Sequence, residues 1–297
     1  MLNNRPAEAV AANHMPVRWD LTLRPSNFGG ANAIYFTGAL HELGRHEEEL
    51  AEARRRVQIY PGLYNPRAHE ARALVALGRL DELERLVTNM LTLGPQAYSN
   101  NYMASGSPGY VMLAAAEELR IHGHRDASLQ LAARAVDWYR GRSGDEAKRW
   151  EIRAGLVEAL YRAERWQEAS EAARAHERDQ PDTNPNEHGV KYRARGWVGA
   201  LAARLGARDD ARRIAEELLR DHTIGSCGEP TVRAARIYAL LGERERAVKL
   251  LQEAVALGYG GAEWPDPYGY GLLFSHAMDL ESLHGYPPFE ELIKPKG

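Results

Sequence analysis

Thiols and a strong net charge are both missing from this sequence. Among 297 residues there is one cysteine, Cys227, which excludes an internal disulfide framework and suits a reducing compartment. The formal net charge is −3, so neither nucleic acid nor an anionic membrane is favoured as a general partner. Long apolar runs are absent too. The longest clean one, Tyr110 to Ala116, is far short of the roughly 20 residues that span a bilayer. The opening stretch MLNNRPAEAV has neither the basic start nor the apolar core of a signal peptide. What is present, 44% hydrophobic and 27% charged residues, is too apolar for disorder. These features predict a soluble, cytoplasmic chain.

A repeat runs through it. Blocks of the form Ala-Leu-x-x-Leu-Gly-Arg followed by acidic residues recur: ALHELGRHEEEL from Ala39, ALVALGRLDELE from Ala73 and ALYRAERWQEAS from Ala159. Weaker copies start at Ala200 and Tyr238, and another, from Glu117, keeps the glycine. Aligned on the inter-helix turn, they place Gly44, Gly78, Gly123, Glu164, Gly206 and Gly242 in register, at steps of 34, 45, 41, 42 and 36 residues. Proline recurs seventeen residues after the turn, at Pro61, Pro95 and Pro181, where a second helix should stop.

The pattern has a physical logic. Apolar residues three and four apart, such as Phe36, Leu40 and Leu43, form one stripe of a helix. The turn glycine supplies a left-handed conformation that ends the first helix. Small residues on both helices let them approach closely: Thr37, Ala71, Ala116, Gly199 and Ala235 before the turn, and Ala169, Ala211 and Ala247 five residues after it. The pair around Gly123 departs from the others by one residue at its turn. Each pair leaves one apolar face that the next must cover. The expected fold is all-α, a right-handed solenoid of antiparallel helix pairs.

These residues resemble the tetratricopeptide repeat family over about Gly30 to Gly258, and a 34-residue step is that family's period. The runs HELGRHEEELAEAR, SPGYVMLAAAEELRIHGHRDASLQLAARA and LHGYPPFEELIKPKG are similar to the helical C-terminal regions of bacterial multidomain regulators. The resemblance implies a docking or sensing segment in signalling, here without its usual output domain. Residues 1–29 read as a partial repeat and a loop, with Asn4 to Val10 starting a second helix and Trp19, Leu21 and Leu23 suggesting a short extended piece. Residues 30–257 hold about six helix pairs. Residues 258–297 form an irregular cap in which Leu272 to Ala277 and Pro288 to Ile293 make short helices over the last pair.

Chemistry-bearing motifs are scarce. His41 and His46 lie five apart with the turn glycine between them, whereas two ligands on one helix face lie four apart, so no metal site is expected there. His122 and His124 straddle a turn without a carboxylate cluster. Cys227, with His222 five residues before it, reads as a loop cysteine of no special reactivity. Carboxylates are expected on helix exteriors, with no pair placed for acid–base work. The sequence therefore predicts no enzyme, no cofactor and no metal.

In the family the first helices line a concave groove. Counted from the turn, the residues pointing into it include Glu42, Arg72, Glu117, Arg120, Glu158, Tyr161, Arg162, Arg193, Arg204 and Arg236. Arginine is prominent, and its planar fork suits carboxylates and peptide backbone. The expectation is a scaffold that binds a protein or peptide segment in this groove. The insertion from Gln96 to Ser107, rich in Tyr and Asn, is a second candidate for recognition. The alternative is a small-ligand sensor or enzyme with a pocket inside the superhelix. That pocket would be enclosed and lined by converging polar groups.

Overall fold

A computed structural model describes residues 4–13, 36–59, 61–92, 106–179, 188–220, 227–259 and 269–296, and all their regular structure is helical. The elements are α1 (Pro6–Asn13), α2 (36–42), α3 (His46–Ile59), α4 (Asn65–Ala76), α5 (Leu80–Thr92), α6 (Pro108–Ile121) and α7 (Arg125–Arg140). There follow α8 (Gly144–Lys148), α9 (Trp150–Arg162), α10 (Trp166–Arg178), α11 (His188–Arg204) and α12 (Arg208–Arg220). The last are α13 (Glu229–Leu240), α14 (Arg244–Ala256), α15 (Tyr270–His276), a 3₁₀ turn (Glu281–Leu283) and α16 (Pro287–Ile293). In the stretch where a second helix was expected from Asn4, α1 runs Pro6–Asn13. The extended piece near Trp19 and most of the insertion from Gln96 lie outside the described residues.

All six aligned turn positions are left-handed, with φ between 57° and 81°. Each closes its first helix with the same pair of bonds. Gly44 N–H donates to His41 O and Arg45 N–H to Leu40 O, both at 2.9 Å, satisfying carbonyls the helix leaves unpaired. Gly123 N–H likewise donates to Arg120 O and His124 N–H to Leu119 O, so the expected one-residue departure there is absent. The non-glycine, Glu164, adopts the same conformation at φ 57°. The Gly-Arg-x-x-Glu pattern is local as well: Arg45 reaches Glu48, Arg79 reaches Glu82 and Arg165 reaches Glu168, each at 2.6 Å. Exposed pairs of this kind contribute little to stability. The acids also sit in the first turn of the second helix, where its dipole favours them.

The chain forms two compact units, 1–135 with 260–273 and 295–297, and 136–259 with 274–294. In the first, α3 packs on α4 and α4 on both α5 and α6, while Val10 of α1 joins Ala39 and Leu40 of α2 in a small core. In the second, α9 through α13 each pack on the following helix, and α11 also packs on α13. The small positions carry this stacking. At Gly199 a β-carbon would stand 2.3 Å from Ile237 Cδ1, so α13 approaches α11 only because the side chain is missing. Ser128, the counterpart of the alanines after the turn, is buried and donates to Ala116 O at 2.6 Å.

The cap helices lie close to their expected ranges. Phe274 and Phe289 are fully buried, and Phe274 stacks on Tyr259 with ring centroids 5.7 Å apart. α16 packs on α14, as expected for a cover on the last pair.

Candidate functional site

The residues assigned to the first-helix face fall into two groups. In the first unit, Glu42 is half-buried and accepts the Gly269 N–H at 2.5 Å. Burial raises its carboxyl pKa, opposed by that bond. Arg72 is only 4% exposed and reaches Glu117 at 3.4 Å, so its guanidinium faces the interior instead of a groove. Arg120 is half-buried.

In the second unit, Glu158 and Arg162 pair along α9 at 2.8 Å, and Arg193 and Arg236 are half-buried. Tyr161, 2% exposed, is flanked by Trp166 and Trp197 at centroid distances of 4.8 Å. Its hydroxyl donates to Asp279 and accepts from Arg204 Nε at 3.0 Å. Burial, together with the Asp279 charge, pushes the Tyr161 pKa well above its usual value, so the hydroxyl stays protonated. Arg204 also donates to Met278 O at 2.9 Å and lies 5.0 Å over the Trp166 ring. Farther along, Ser282 Oγ donates to Ala239 O at 3.2 Å. Residues 278–282 thus lie across α9, α11 and α13, with a carboxylate and a backbone carbonyl taken up by Tyr161 and Arg204. Nothing in the sequence pattern pointed to Asp279, which is 118 residues from Tyr161.

A second constellation is buried in the first unit, and it corrects two expectations. His41, Glu49, His69 and Glu118 are all buried, with His46 and His122 at the edge. His41 Nδ1 lies 2.8 Å from Glu49 Oε2, and His41 Nε2 lies 3.4 Å from Glu118 Oε2. His46 Nδ1 is 3.5 Å from the same Glu49 oxygen, and His122 Nε2 is 2.9 Å from Glu118 Oε1. The spacing argument against His41 and His46 assumed one continuous helix. The Gly44 turn reverses the chain between them, so residues five apart face one another, with rings 5.0 Å apart. Nor do all carboxylates lie on helix exteriors: α3 carries Glu49 and α6 carries Glu118 into the interior.

The charges there are coupled. Burial alone would lower the His41 pKa, but the charges and hydrogen bonds of Glu49 and Glu118 outweigh it and raise it to about 10. Burial would raise that of Glu49, yet the charge and hydrogen bond of His41, with His46 and His69 beside it, hold it well below the carboxylate range. His41 and Glu49 thus favour each other's charged forms. Glu49 Oε1 has no hydrogen-bond partner among the described residues, and His69 Nδ1 is 3.8 Å from it. Cys227 is exposed, at the turn before α13.

No protein-family model matches the chain, and no curated protein matches it.

Proposed function

We propose that this chain is a tetratricopeptide-type docking module, non-catalytic and cytoplasmic, that holds an extended segment of a partner protein on its first-helix face. One observation carries the reading. In the second unit that face already receives a peptide segment, the chain's own residues 278–282, through an arginine, a tyrosine and a backbone carbonyl. A surface that reads a carboxylate and main-chain groups in cis has the chemistry to read them in trans. The six left-handed turns and the small crossing positions support the family reading. Its resemblance to regulator C-terminal regions makes the module the docking or sensing part of a signalling assembly. A small-ligand or enzymatic reading draws on the buried His41–Glu49–Glu118 cluster alone.

The test uses Arg162 and Arg236, both half-buried in the second unit, in place of Arg204, whose bonds to Tyr161 and Met278 hold the chain's own segment. Peptide-array screening selects carboxylate-bearing segments, and titration calorimetry measures each affinity. A desolvated charge-assisted hydrogen bond contributes about 1.5–3 kcal/mol, so replacing both arginines by Ala weakens binding at least tenfold with the melting temperature little changed. Equal affinities for the double variant and the parent would refute the assignment.

A further inference from the structure

Two carboxylates in the first unit stand where most of the other pairs bury an apolar residue. Glu49 lies five residues after its turn, where later pairs place Ala169, Ala211 and Ala247, and all four are 0% exposed. Glu118 lies five residues before its turn, where other pairs place the fully buried Ala39, Ala73 and Ala159. Further pairs bury Leu83, Leu201 and Ile237 at these two positions, so the packing there calls for an apolar side chain and not for a carboxylate. A buried carboxylate is strongly unfavourable unless cations or donors surround it. Among the described residues Glu49 Oε1 has no hydrogen-bond partner, and His69 Nδ1 stands 3.8 Å from it.

The nitrogens around Glu49 have the arrangement of a ligand set. His41, His46 and Glu49 each offer one ligand atom within 4.8 Å of the others. Ligands bound tetrahedrally at about 2.0–2.1 Å lie roughly 3.3–3.4 Å from one another. The His46–Glu49 separation is 3.5 Å and needs no change, while the 2.8 Å His41–Glu49 contact opens by roughly half an ångström on binding. The far nitrogen of His41 faces Glu118 at 3.4 Å, the carboxylate–histidine relation that fixes a ligating tautomer. We propose that His41, His46 and Glu49 bind zinc or a divalent cation of its class, with Glu118 positioning His41. Imidazole and carboxylate without thiolate suit that class better than magnesium or calcium, which prefer oxygen alone. The His46 side chain is 22% exposed and forms the way in, and a water or His69 completes the coordination. The ligands come from α2 and α3, and Glu118 ties in α6, so a bound cation clamps the three helices and acts on stability.

The experiment strips the full chain of metal with a chelator and titrates in Zn²⁺ at neutral pH against a chromophoric competitor. Thermal melting is followed in parallel. One equivalent should bind and raise the melting temperature. His46→Gln, at the rim of the cluster, should weaken zinc at least tenfold and remove most of the zinc-dependent rise in melting temperature. Glu118→Gln should weaken it about ten- to a hundredfold. His124→Gln, at an exposed histidine on a neighbouring turn, should change nothing. Failure to bind zinc, or equal zinc affinity in the parent and His46→Gln, would overturn the proposal and leave the cluster an ion-paired core.

Discussion

Glu164 offers a way to measure what the repeated turn costs. Five of the six turns use glycine, at φ from 68° to 81°, and the sixth holds Glu164 at φ 57°. In the left-handed region a β-carbon crowds the following carbonyl oxygen, at about 1–2 kcal/mol for a residue other than glycine. Glu164→Gly removes that strain but frees the unfolded chain, which takes back about 0.4–1 kcal/mol. The net expectation is a gain of roughly 0.5–1 kcal/mol, or about 2–3 °C in melting temperature for a unit of this size. The reverse change is Gly78→Ala. A β-carbon there would meet nothing within 4 Å, so the loss is conformational alone, roughly 1 kcal/mol. Urea titrations of the parent and both variants, read by circular dichroism, give the two numbers. If Glu164→Gly destabilises while Gly78→Ala is neutral, the turn conformation is not what selects glycine, and the reasoning fails.

Leu160, 1% exposed in α9, should lose about 2–5 kcal/mol on change to Ala, and a loss under roughly 1 kcal/mol in a denaturant titration would show that the site is not close-packed. His176 on α10 is 3% exposed. Burial first, then the charges of Arg153 and Arg193 against the opposing Asp179, lower its pKa to about 4. Below a normal histidine value near 6.5 the unfolded chain binds a proton that the folded one does not. Stability should therefore fall as pH drops from about 6.5 to about 4, by up to roughly 3 kcal/mol. His176→Gln should flatten that part of a stability–pH curve, and an unchanged slope would show that another group titrates.

Much of the fold was legible in the residues alone. Turn positions, helix periodicity and small crossing residues follow from nearest-neighbour sterics and the 3.6-residue turn, which a sequence displays directly. The cap helices were legible for the same reason. The two sites were not, because each joins residues from helices that only stacking brings together. Tyr161 and Asp279 meet through packing across 118 intervening positions, and no local pattern marks Asp279. Arg72 and Tyr161 were placed on the first-helix face, but whether such a side chain meets solvent or a neighbour depends on what packs above it. His41 and His46 were set aside by a spacing rule that holds within one helix, and the turn between them makes the rule inapplicable. Glu49 and Glu118 looked like surface acids because they sit beside other acids in the chain. The tertiary structure alone turned those two inward, since the buried stripe of a helix depends on where its neighbours lie.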